Sequence, residues 1–181
     1  MADDALCLSV LAMQVFLDTY ATNGIRPAIA RDVLAAYSEA AFLDHLDDPS
    51  GRIVVAERSG HLVGFAQLAW RAVCDLAPAG VQAELLRLYV QEPFTGTGIG
   101  TRLLAAAEAL ARDGGATVLW LTPWVQNHRA IAFYQRRGYQ DHGLTWFHAE
   151  GESHENRVYA RRLTGDGEAP PPGDLRPPTS R

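Results

Sequence analysis

No lysine occurs in the 181 residues, and all sixteen basic side chains are arginine. That absence excludes Schiff-base chemistry, a lysine nucleophile and a lysine-bearing nucleotide-triphosphate loop. Cysteine is nearly absent as well. Cys7 and Cys74 are too few for a disulfide framework or a cysteine-rich zinc centre, and both read as small buried hydrophobes. The histidines are scattered, and the tightest group, His148, Glu150 and His154, fits no compact ligand spacing, so no metal is expected. No apolar run approaches the roughly 20 residues that span a bilayer. The opening "MADDALCLSV" carries acids where a secretory signal carries bases. A cytoplasmic protein without membrane contact is the expectation. A formal net charge of −5 argues against a nucleic-acid partner, whose footprint is a basic face.

What is present is enough for one domain. Apolar residues recur at helical spacing from Asp4 to Tyr20, with Leu6, Val10, Met13 and Leu17 on the stripe. Asn23-Gly24 breaks that helix and Pro27 opens a second, to about Tyr37. Phe42 to Leu46 reads as a short turn. The period then switches to two. Ile53–Glu57 and Leu62–Trp70 form a hairpin about Ser59-Gly60, and "VQAELLRLYV" follows as a third strand. A helix runs from Ile99 to the Gly114-Gly115 stop. "ATVLWLTP" is a buried-type strand, and "NHRAIAFYQRRGY" is a helix capped by Asn127 and closed by Gly138. "LTWFHAE" and "NRVYARRL" are two final strands about a polar turn. A single domain over residues 1–164 is expected, with 165–181 as a flexible tail too rich in proline and glycine to build a core.

The segment with most chemistry is "YVQEPFTGTGIGTRLL", Tyr89 to Leu104. A strand, a glycine-rich turn and a helix gather backbone N–H groups at a helix N-terminus, where the dipole also favours an anion. Such a loop suits a pyrophosphate. A dinucleotide fingerprint requires Gly or Ala at position 101, where Thr101 stands, and a triphosphate loop requires the absent lysine.

Two motifs in order, this loop and "NHRAIAFYQRRGY", resemble the GNAT superfamily of acetyl-CoA-dependent N-acetyltransferases. The family loop Q/R-x-x-G-x-G/A is matched at Gly98 and Gly100 after a strand ending in Val90, but its first position is Thr95, which lacks the long polar side chain. Asn127, Ala130, Phe133, Tyr134, Gly138 and Tyr139 match the second motif, and the resemblance spans roughly Ile53 to Leu163. It implies an α/β (α+β) fold: a mixed, largely antiparallel twisted sheet flanked by helices. Its central strand pair splays to hold acetyl-CoA. The family's first strand has no counterpart before the first helix, so it is either missing or the chain begins late.

The resemblance also assigns roles. Leu88, Tyr89 and Val90 would bind the pantetheine arm. Thr95, Gly96, Thr97, Gly98, Ile99, Gly100 and Thr101 would hold the pyrophosphate, with Asn127 and Ala130 on the arm's other side. A primary amine with pKa near 10.4 is neutral in only about one molecule in 10³ at pH 7, so attack on a thioester needs a base. Glu84 is the leading base and would share a strand face with Leu86, Leu88 and Val90; a water chain is the alternative. Tyr134, two helical turns beyond Asn127, occupies the family's catalytic tyrosine position and would protonate the leaving thiolate. Arg136 and Arg137 either balance the helix dipole or meet a CoA phosphate. The acceptor is expected to be a small-molecule amine, polyamine-like by the loose similarity of the last two strands. The alternatives are a protein N-terminal or lysine acetyltransferase and a non-catalytic acyl-CoA-binding module. A homodimer is compatible with the family.

Overall fold

The computed structural model describes residues 4–149, 152–163 and 174–179. Three helices come first: α1 (Asp4–Tyr20), α2 (Pro27–Ala36) and α3 (Glu39–Asp47). The stretch expected as a turn at Phe42–Leu46 is the body of α3. The Ser38 hydroxyl caps it by accepting from the Ala41 N–H at 3.2 Å, and Phe42 is fully buried in it. Strands β1 (Gly51–Arg58), β2 (His61–Trp70) and β3 (Gln82–Val90) follow, then α4 (Ile99–Asp113), β4 (Val118–Leu121), α5 (His128–Gln135), β5 (Gln140–Ala149), β6 (Glu152–Arg162) and β7 (Leu175–Arg176).

Among the described residues, seven strands form one sheet in the order β5-β6-β4-β3-β2-β1-β7, in which only the β3–β4 pair is parallel. One face packs against α4 and α5 through Leu68, Leu85, Leu103, Leu104, Leu119 and Tyr134. The opposite face is covered by α1–α3 over Val55 and Phe65, and by the segment Ala72–Ala77 over Val118, Trp120 and Val158.

Two strands choose different partners at the centre, and this opens the sheet. β3 pairs with β4 only over Gln82–Glu84 against Val118–Trp120. Beyond that rung β3 stays with β2 as far as Val90, while β4 stays with β6 through Leu121 and an isolated bridge joins Trp124 to Asn156. A β-bulge sharpens the divergence. Gln67 pairs with Arg87 and the next residue, Leu68, with Leu85, which leaves Leu86 extra. The bulge corrects the expected alternation. Glu84 does not share a face with Leu88 and Val90, because the extra residue flips every side chain beyond it.

The outer edge of β1 is taken by the other end of the chain. β7 pairs with β1 through Val55–Arg176 and Ala56–Leu175. The part of the expected flexible tail that falls on residues 174–179 is thus docked on the sheet. The remainder, 165–173 and 180–181, lies outside the described residues, as does the polar turn at 150–151. Arg176 holds the strand down by pairing with both Glu57 of β1 at 2.7 Å and Asp4 of α1 at 2.6 Å. No helix among the described residues is long and apolar enough to cross a membrane.

Candidate active site

A cleft of about 800 Å³ enters the sheet where β3 and β4 part. Leu88, Tyr89 and Val90 line one side, and Asn127, Ala130, Phe133 and Tyr134 line the other. Thr95, Gly96, Gly98, Gly100 and Thr101 form its floor, and the C-terminal end of α1, through Tyr20, closes its top. The sequence-matched positions are therefore brought together, with three exceptions. Ile99 is buried in the core under α4, so only its backbone can face the cleft. Thr97 is turned away and donates to the Phe94 carbonyl at 2.6 Å. Glu84 lies outside this cavity altogether.

The glycine loop is built for an anion. Gly98 caps α4 in the left-handed region at φ 87°, and no side chain caps the helix, so its first-turn N–H groups are left to a ligand. Gly96 has φ 74°, and a Cβ there would meet nothing within 4 Å: the space above it is open. A diphosphate fits such a cradle of backbone donors. Thr95 contributes little directly, since its hydroxyl donates to the Glu92 carbonyl at 2.8 Å.

Across the cleft, Asn127 works twice. Its side-chain oxygen accepts from the Ala130 N–H at 3.0 Å, capping α5. Its side chain lines the cleft together with Tyr20, whose ring lies 5.6 Å from Trp124. Tyr134 is buried at the cleft wall, edge-on to Phe133 and Tyr139. Burial, and then the nearby Tyr20, raise its pKa above the ordinary phenol value, so it stays protonated through neutral pH. Arg129 and Glu92 pair at 2.8 Å.

Glu84 faces a second recess, of about 320 Å³, on the α1–α3 side of the sheet. Trp120, Trp146, Phe147, Cys74 and Asn156 line it with Glu84. Burial pushes the Glu84 carboxyl up to about 7, against the opposing pull of Arg87. Cys74 is partly buried, whereas Cys7, expected inside, is exposed on α1.

Several participants were not readable from sequence. Tyr20 ends the first helix, and no spacing rule ties that helix to the motifs. Arg87 packs 4.9 Å from the Tyr37 ring and donates to Gln67, a pairing that only the bulge creates.

The acetyltransferase (GNAT) family model matches residues 21–139. The chain belongs to the GNAT family. An uncharacterised N-acetyltransferase of Mycobacterium tuberculosis is 33% identical over 135 residues, covering 72% of this chain and 81% of that protein. The aminoalkylphosphonate N-acetyltransferase of Salmonella typhimurium is 35% identical over 55% of this chain and 63% of its own length. Among solved structures, the PaiA N-acetyltransferase of Thermoplasma acidophilum, in complex with coenzyme A, superposes with a TM-score of 0.66 at 22% identity, over 89% of this chain and 94% of that one. This GNAT chain is an acetyl-CoA-dependent N-acetyltransferase.

Proposed function

We propose that this enzyme acetylates the primary amine of a small molecule by direct transfer, with Glu84 as base and Tyr134 as acid. One observation carries the reading. Glu84 and Trp120 are the last paired residues before β3 and β4 part and both line the recess, and Leu88–Val90, further along the same strand β3, line the Tyr134 cleft.

Acetyl-CoA supplies an acyl group activated on sulfur. Every other requirement falls on the chain. Backbone groups of Leu88–Val90, freed from β4 by the splay, are available to the pantetheine arm and to charge developing on the carbonyl oxygen. With its pKa raised by burial to about 7, Glu84 titrates in the neutral range, and its carboxylate form can take the ammonium proton. Tyr134, still protonated, can give its phenolic proton to the departing sulfur.

The walls of the recess favour an amine on a compact apolar body. Trp120, Trp146 and Phe147 offer ring faces, and Glu84 is the one carboxylate among the described lining residues. A polyamine would bring a second cation to a wall without a second acid. A relative named for aminoalkylphosphonates also supports a small acceptor. The test is release of free thiol from acetyl-CoA across a panel of arylalkyl amines, polyamines, aminophosphonates and peptides. Turnover is expected with the small apolar amines. Turnover confined to peptides would overturn the acceptor assignment.

A further inference from the structure

The structure assigns Arg137 as the cation that clamps the CoA diphosphate, replacing from across the cleft the long side chain missing at Thr95. This rests on acetyl-CoA as co-substrate and is independent of the acceptor.

Position 95 is where the loop motif ordinarily carries Gln or Arg, and Thr95 spends its hydroxyl on the loop's own backbone. The loop alone therefore presents neutral N–H groups to a dianionic diphosphate. Three arginines on or beside α5 line the same cleft: Arg129, Arg136 and Arg137. Arg129 is exposed and already paired with Glu92 at 2.8 Å. Arg136 is exposed at the helix end. Arg137 differs from both. Its guanidinium stacks 3.7 Å from the Phe133 ring centroid, donates to the Phe133 carbonyl at 3.0 Å, and donates a further N–H to the Thr101 hydroxyl in the first turn of α4. The same Phe133 ring lies 3.5 Å from where a Gly100 Cβ would stand. The charge is thereby held over the glycine cradle by contacts on both sides of the cleft.

Nothing acidic cancels it. Among the described residues no carboxylate pairs with Arg137, and Glu108, the acid that acts on it from a distance, is already engaged by Tyr139, Arg161 and Arg112. Its Nε is buried and unpartnered. A fixed, stacked guanidinium with an uncommitted charge suits a diphosphate, which a planar fork of N–H donors can bridge. Stacking also means that little side-chain freedom is lost when the anion arrives.

The experiment is calorimetric, with no acceptor present. Wild type, Arg137→Met, Arg137→Lys, and Thr95→Arg in the Arg137→Met background are titrated with CoA, dephospho-CoA and pantetheine. Methionine keeps the packing on Phe133, and a melting curve for each variant shows that it is folded. The expected result is a loss of about 10- to 100-fold for both CoA and dephospho-CoA in Arg137→Met. Pantetheine should be unaffected, lysine should restore part of the loss, and Thr95→Arg should restore most of it. Three outcomes would overturn the assignment. CoA affinity could be unchanged, pantetheine could weaken equally, which marks a packing role, or the loss could be confined to CoA, which places the contact on the 3′-phosphate. Failure to find an acceptor would leave these titrations intact.

Discussion

Glu84 and Trp120 form the last rung between β3 and β4, and the sheet opens immediately beyond them. A carboxylate at that vertex is half-buried because the strands are still together, yet it faces a recess because they are about to part.

Glu84→Gln is expected to lower kcat/KM by roughly 10²-fold at pH 8, within the usual range for loss of a general base. The acidic limb of the wild-type profile, near pH 7, should vanish with it. The stability effect runs the other way. Burial raises the folded pKa above its ordinary 4.5, so the stability this group contributes is complete below pH 4.5 and is lost as pH rises through about 7. Glu84→Gln should therefore melt above wild type at pH 8, and this advantage should shrink as the pH is lowered toward 4.5. A profile that keeps its limb in the variant would exclude Glu84 as the base.

Tyr134→Phe should reduce kcat by about 10²-fold while changing CoA affinity by less than about threefold. The hydroxyl is deeply placed and its pKa is raised by burial, so the tyrosine adds no ionisation limb at neutral pH. Steady-state kinetics beside CoA titration separates the two effects. Equal losses in kcat and in CoA binding would mark Tyr134 as part of the cleft wall and not as an acid.

The elements and the cleft were legible because they rest on local chemistry. Asn127 and Tyr134 fall on one helical face by spacing alone, and Gly98 is required wherever a left-handed residue opens a helix. What was hidden depends on pairings between distant segments. The bulge at Leu86 is a mismatch between β2 and β3, invisible within either strand, and it put Glu84 on the wrong face of a simple alternation. β7 is two residues set among prolines, and it exists because β1 has an open edge to receive it. Arg137 read as either a dipole-balancing residue or a CoA-phosphate contact, and the choice rests on Thr101, which belongs to another helix.

Gly64 of β2 is a sensitive point for the cofactor strand. A Cβ there would stand 2.7 Å from the Tyr89 carbonyl oxygen and 3.2 Å from Val90, so the backbone of β3 must retreat. Gly64→Ala is expected to cost about 1–3 kcal/mol of stability, as overpacking does. It should also weaken CoA binding severalfold, because Leu88–Val90 line the cleft. Thermal melting with CoA titration checks both. Loss of stability with unaltered binding would mean that the strand yields without moving its inner edge.

The docked C-terminal strand supplies an acid-sensitive joint. The Asp4 carboxylate accepts two N–H groups of Arg176, at 2.6 and 3.0 Å, together with the backbone N–H and hydroxyl of Thr179. The Arg176 hydrogen bonds, opposed in part by burial, hold the Asp4 pKa down to about 2 from its ordinary 3.8. A depressed carboxylate stabilises the fold above its unfolded pKa, and this share, about 2 kcal/mol, is lost as pH falls from 3.8 through about 2. Arg176→Ala removes the pair with Asp4 and the pair with Glu57 together and leaves the buried Asp4 carboxylate without its cation, held by Thr179 alone. Because the arginine is about one-third exposed, the expected cost is moderated to about 1–3 kcal/mol at pH 7. The Asp4-dependent share of that difference should shrink as the pH approaches 2. Asp4→Asn should behave similarly, with the double variant costing less than the sum of the two single ones. Denaturant melts at pH 7 and pH 3 provide the measurement, and a strictly additive double variant would show that β7 is held by its backbone pairing with β1 alone.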